Sequence, residues 1–126
     1  AAALEHYAQQ FNKQGGPQMH VAVSDDQLLS PLQANQLFRI LQEAATNVRR
    51  HAQAQSIQIE GKCDEQNHYC FSITDDGIGP QPIRNDASGV RNMRERTTLA
   101  GGTFRFGPGS SKGTAIIISL PLNEES

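Results

Sequence analysis

The tetrad Ser30-Pro31-Leu32-Gln33 begins a helix, and the residues after it constrain the fold more than any other stretch. Ser30 offers a side-chain oxygen to the free amides of a first turn. Pro31 suits the first helical position, and Gln33 completes a capping box. Leu37, Leu41, Ala44 and Val48 then recur at helical spacing, which predicts one helix over about residues 31–52 with a single apolar stripe. That stripe needs a surface to lie on, and the next segments supply one. Ser56 to Cys63 alternates, with Ile57 and Ile59 on one face and Gln58, Glu60 and Lys62 on the other. Tyr69, Phe71 and Ile73 alternate again after a turn-like stretch from Asp64 to His68, so the pair reads as a hairpin.

The flanks complete a mixed architecture. Leu4, Tyr7, Ala8 and Phe11 predict a helix over residues 2–13, ended by Gly15-Gly16-Pro17, and Met19 to Val23 reads as a short strand. Gly79 to Ser88 holds two prolines and an Asn-Asp pair without hydrophobic period, which makes it a loop. Gly89 opens a helix with Val90, Met93 and Ala100 on one side, ended by Gly101-Gly102. Thr103 to Phe106 is a strand, Gly107 to Ser111 a turn, and Ala115 to Leu120 a nearly continuous apolar strand expected to be central in the sheet.

The 126 residues hold no dividing linker, so they form one domain. A net charge of −2 gives no global field towards nucleic acid or an anionic membrane. No apolar run reaches membrane-spanning length and no signal-peptide pattern opens the chain, although it could be cut from a membrane protein. Cys63 and Cys70 fall near one turn on neighbouring strands and could be close, yet read as reduced thiols. The four histidines lack metal-ligand spacing.

Helical phasing of about 100° per residue sets Glu43 and Asn47 side by side on one flank of the stripe, with Arg50 beyond Glu43 and Arg49 pointing elsewhere. Most such pairs are a solvated flank. Asn, however, is a poor helix former that favours caps and turns. An amide oxygen suits magnesium, and a neighbouring carboxylate suits proton handling near a phosphate. Asp75 continues the parity of Tyr69, Phe71 and Ile73 and so faces the buried side. Asp76-Gly77 is an ordinary turn dipeptide, but a turn alone does not explain an inward carboxylate, which is costly unless hydrogen-bonded. An adenine amino group is a suitable donor. The segment Asp75 to Gly79 lacks the later glutamate of a calcium loop. Gly107 to Thr114 is no P-loop either, because Lys112-Gly113-Thr114 reverses the order and a strand follows. Gly113-Thr114 still offers close backbone approach and a hydroxyl. Gly89 at a helix start is a natural anion site. Arg91, Arg94 and Arg96 would form a solvated face, any one of them available to a phosphate.

With those residues in order, the chain resembles the ATP-binding catalytic domain of a bacterial sensor histidine kinase, in the nitrate/nitrite-sensor and lipid-fluidity-sensor branch. Glu43-Ala44-Ala45-Thr46-Asn47-Val48-Arg49-Arg50-His51-Ala52 resembles the N box. Asp75-Asp76-Gly77-Ile78-Gly79 resembles the first glycine box, and Gly89 to Arg96 the second. Gly101-Gly102-Thr103 and Gly113-Thr114 complete the order, and the resemblance covers essentially the whole chain. It implies an α/β (α+β) two-layer sandwich: a mixed sheet of about five strands, covered on one face by three helices, with an ATP lid over Gly79 to Ser88. It implies ATP and magnesium as cofactors, Asn47 as the magnesium ligand and Glu43 as the catalytic carboxylate near the terminal phosphate. Arg50, in a place usually held by lysine, and His51 would lie at the phosphates, and Asp75 would bind the adenine amino group. Gly77, Gly79, Gly89 and Val90 would shape pocket and lid, with Gly113 and Thr114 at the adenine end.

Ala87, Ser88 and Ser111 depart from the glycine-richer family pattern beside the lid. None of the four histidines has the acidic and basic neighbours of a phosphoacceptor, which the family carries on a separate dimerisation domain. The resemblance therefore implies a cytoplasmic catalytic domain, monomeric alone. Its partners would be a histidine-bearing dimerisation domain in a homodimeric protein and a downstream response regulator, with no direct nucleic acid. Two other readings compete: a non-catalytic nucleotide-sensing or docking module, which the presence of Glu43 and Asn47 disfavours, and an anti-sigma-factor-type protein-serine kinase, which Gly89 to Arg96 disfavours.

Overall fold

Five strands pair in the order β1-β2-β3-β5-β4, and the way they alternate decides where the helices lie. A computed structural model describes residues 2–79, 87–109 and 112–122. Along the chain run α1 (Ala2–Lys13), β1 (Gln18–Val23), a 3-10 turn (Asp26–Leu28), α2 (Pro31–Asn47), a π turn (Val48–Ala52), β2 (Ser56–Cys63), β3 (His68–Asp75), α3 (Ala87–Leu99), β4 (Thr103–Pro108) and β5 (Thr114–Pro121). β1 and β2, joined through α2, are parallel, and the other three pairings are antiparallel. The sheet is mixed, as the resemblance implies.

Period-2 alternation puts Ile57, Ile59, Tyr69, Phe71, Ile73, Ile116, Ile118 and Leu120 on one face, where they form a single core with Phe11, Leu37, Ile40, Leu41, Ala44 and Met93 of the helices. β5 lies inside the sheet between β3 and β4, but only one of its faces is covered. Ile117 points to the open side and is 39% exposed. The apolar run of β5 therefore does not mark burial on both faces. The hairpin register pairs Cys63 with Tyr69 and Lys62 with Cys70. Directly paired residues share a face, so the two cysteines point to opposite sides of the sheet, and both are free thiols.

α1 is tied to β1 by a two-way contact: Asn12 Nδ2 donates to the Met19 carbonyl (3.1 Å) and Met19 N–H donates to Asn12 Oδ1 (2.7 Å). The capping box of α2 forms as read, with Gln33 N–H donating to Ser30 Oγ (3.1 Å) and Ser30 N–H to Gln33 Oε1 (3.0 Å). The end of α2 differs from the reading of one helix over 31–52. Regular α-helix stops at Asn47, where the Val48 N–H is shared between the carbonyls of Ala44 and Ala45, and a π turn carries the chain to Ala52. No helix among the described residues is long and apolar enough to cross a membrane.

Candidate functional site

The C-terminal half of α2 presents Glu43 and Asn47 one turn apart, both half-buried. They meet α3 at Gly89. A methyl group on the Gly89 α-carbon would lie 2.8 Å from Glu43 Oε2 and 3.2 Å from Asn47 Nδ2. The α3 backbone thus touches these two side chains only because residue 89 has none. α3 begins at Ala87, two residues before the start expected at Gly89, so Gly89 lies within the first turn. There the main-chain amides and helix dipole favour a negative group, and the Glu43 carboxylate lies beside Gly89. Val90 is half-buried against the core.

A second group forms where β3 ends. Asp75 is 9% exposed, on the helix-covered face that its parity predicts. Its Oδ1 accepts from the Gly77 N–H (2.8 Å), and the Thr114 amide also donates to the carboxylate. Burial pushes the Asp75 carboxyl above the usual carboxylate range; the two amides pull it back only in part, and the neighbouring Asp76 charge pushes the same way as burial. Gly113, at φ +78°, brings β5 so close to Asp75 that a β-carbon there would collide with the Asp75 carbonyl. Gly79, at φ +88°, backs onto the Gly113 carbonyl. Asp75, Gly77, Gly79, Gly113 and Thr114 therefore form one backbone-lined corner, and Glu43, Asn47 and Gly89 another.

Arg50 lies exposed on the π turn. His51 belongs to that turn, but its side chain lies outside the described residues, as do residues 80–86 of the expected lid. Two of the three α3 arginines are engaged elsewhere. Arg94 stacks 5.0 Å from the Phe104 ring centroid and donates to the Phe104 carbonyl, and Arg96 donates to Gln36 Oε1 (3.1 Å). Arg91 is exposed. An apolar cleft of about 260 Å³, lined by Leu4, Leu29, Leu37 and Phe38 among others, contains none of the residues of either corner.

Residues 32–124 match the family model described as "Histidine kinase-, DNA gyrase B-, and HSP90-like ATPase". The chain belongs to this ATPase family. Its relatives include the Signal transduction histidine-protein kinase/phosphatase UhpB of Salmonella typhimurium, 34% identical over 98 residues, 77% of this chain and 19% of the relative. Sensor protein VraS of Staphylococcus haemolyticus is 35% identical over 91 residues, 71% of this chain and 26% of its own. Sensor histidine kinase YxjM of Bacillus subtilis is 32% identical over 124 residues, 95% of this chain and 30% of its own. The ATPase chain thus spans under a third of each of these relatives. The fold matches the Erythrobacter litoralis EL346 blue-light activated histidine kinase, with a TM-score of 0.79 at 21% identity over 98% of this chain and 42% of that one.

Two residues of the ATPase do more than their sequence positions announce. Asp76 looks like half of a turn dipeptide, but its carboxylate accepts from Ser56 N–H (3.0 Å), Gln55 N–H (2.8 Å) and Ser56 Oγ (3.1 Å), which fixes the end of β3 to the start of β2. Those bonds, the Ser56 amide foremost, hold its carboxyl below the usual range. The available signal is parity: Asp76 follows an inward Asp75 and so faces the other way, beside a strand start. The second residue is Arg49, which phasing removes from the site without assigning it a partner.

Proposed function

We propose that this ATPase domain binds Mg·ATP between the end of α2, the first turn of α3 and the corner formed by Asp75, Gly113 and Thr114. In the longer protein it passes the γ-phosphoryl to a histidine on a dimerisation domain, for relay to a response regulator. We read it as the cytosolic engine of a sensor kinase of the nitrate/nitrite-sensor type. The observation that carries the nucleotide reading is Asp75. A carboxylate buried at a strand end destabilises the fold in its charged form. A ligand with an amino donor, such as adenine, compensates that cost and recovers it as specificity.

Glu43 and Asn47 fit a magnesium–phosphate unit by the chemistry of their donors. Magnesium takes oxygen ligands, keeps several waters and uses one or two protein groups beside the phosphates. Rotation of the Asn47 amide presents its oxygen. Bound magnesium supplies charge neutralisation across the phosphates. Glu43, against the first turn of α3, is suited to accept a proton or orient the attacking group at the terminal phosphate. Gly89 gives phosphate oxygens access to main-chain amides, and Arg50 adds a cation to the same end. Asp75 and the amides around it hold the base, so the reacting phosphate is positioned from both ends.

The reading is tested by mixing this chain with an acceptor fragment that carries the phosphorylatable histidine. Phosphohistidine should form with ATP and magnesium and vanish with Asn47→Ala. Acid-stable phosphoserine, or transfer indifferent to Asn47, contradicts it.

A further inference from the structure

Arg49 stands next to the proposed site, yet its guanidinium is engaged on the far side of α2. Nη1 donates to the Gly15 carbonyl (3.0 Å), Nη2 donates to the Phe11 carbonyl (3.1 Å), and the guanidinium carbon lies 4.0 Å from the Phe11 ring centroid. Two of the three contacts fall on Phe11 in the last turn of α1, whose carbonyl also accepts from the Gln14 N–H (3.2 Å), and the third on Gly15 two residues past the helix; the negative end of the helix dipole there attracts a cation. A planar, multiply donating cation over an aromatic face suits arginine and not lysine. Gly15 and Gly16 have φ of +77° and +76°, a reversal that keeps the Gly15 carbonyl within reach. The platform is firm, because Phe11 is a core residue and Asn12 is bonded to β1.

The other end of the contact is the π turn. A π turn is rarer than continued α-helix and favours sites where function constrains the backbone. It starts directly after Asn47 and carries Arg50. We propose that Arg49 is a positioning residue: its clamp on α1 sets the π turn, and so the course of the backbone from which Asn47 and Arg50 reach the metal–phosphate end of the nucleotide. This rests on the nucleotide reading of the site. It makes α1 a lever on the phosphate end alone, since the adenine end is built on β3 and β5.

The test compares this chain with Arg49→Met, which keeps an apolar stem and loses every donor, and Arg49→Lys, which keeps the charge. Amide hydrogen exchange is read over residues 48–53, and affinity is read for Mg·ATP and for adenosine. Arg49→Met should speed exchange in the turn while the first turns of α2 keep their protection. It should weaken Mg·ATP about tenfold, the effect of displacing one charged contact, and leave adenosine within about twofold. Arg49→Lys should fall between, and it carries the test if Arg49→Met does not fold. Unchanged exchange in the turn overturns the clamp. Faster exchange with unchanged Mg·ATP affinity, or equal weakening of Mg·ATP and adenosine, overturns the positioning role. A native chain that binds no Mg·ATP overturns the nucleotide reading itself, a result separate from any change at Arg49.

Discussion

At its first turn α2 is held by Ser30 and Gln33, three positions apart; at its last it is held by Arg49, whose partners Gly15 and Phe11 lie 34 and 38 positions back. The first end closes with local hydrogen bonds and a proline, and Gln33 uses its remaining amide on the Pro121 carbonyl (2.8 Å) to pin the helix to the end of β5. The last end runs on past the regular helix and stops only at Gln53, in the left-handed region at φ +54°. Its final regular amide is shared between two carbonyls and the helix widens into a π turn. Glu43 and Asn47 lie at the second end. The regular end supplies stability, and the irregular end carries the groups proposed to meet the nucleotide.

Substitutions at the two ends should therefore differ in kind. On the proposed function, Glu43→Gln should lower phosphotransfer from this chain to an acceptor fragment by about 10²–10⁴-fold, the usual worth of a positioned acid or base, while Mg·ATP binding persists. Gly89→Ala should act in the same direction. Its methyl meets the tip of a flexible side chain, so the cost falls on the position of Glu43 and not on the fold; calorimetry and transfer assays on one preparation separate the two. At the other end, Ser30→Ala should cost about 1 kcal/mol of unfolding free energy and leave nucleotide affinity alone. A drop in affinity there would erase the contrast.

Asp75→Asn gives the smallest effect and the opposite sign. The folded-state pKa of Asp75 is raised, so ionisation penalises the native state. Stability is lost as pH rises from the unfolded carboxylate value through the higher folded one. The amide oxygen of the substituted side chain can still accept the Gly77 and Thr114 amides. The variant should thus be more stable than the native chain at neutral pH, with the advantage fading as pH falls towards the ordinary carboxylate pKa of about 3.9, while adenine recognition is weakened. Urea melts at neutral and acid pH check this. An Asp75→Asn chain that is less stable at neutral pH would mean the carboxylate is not strained.

What could be read in advance follows the same division. The start of α2, the span of α1, the strand parities and the inward Asp75 all rest on contacts within a few residues, and each is where local chemistry puts it. The π turn is not legible, because it depends on an arginine meeting the end of a helix far back in the chain. The start of α3 at Ala87 is missed for a similar reason: Gly89 reads as a flexible entry, whereas its actual demand is space for Glu43 and Asn47 across a helix contact. The open face of the sheet hides because β5 is apolar on both sides, and Ile117 shows that an interior strand need not be buried twice. The Glu43–Asn47 flank and the Asp75 corner are each visible as patterns; that backbone glycines bring other strands and helices against them is not.

The most direct test of a two-ended nucleotide site is calorimetric titration of this chain with ATP, with and without magnesium, beside Asn47→Ala. The native chain should bind ATP, and magnesium should strengthen that binding; Asn47→Ala should keep the metal-free affinity and lose most of the magnesium gain, at least ~10-fold for a metal ligand. A folded native chain with no binding at millimolar ATP, or an Asn47→Ala chain with an undiminished magnesium response, would contradict it.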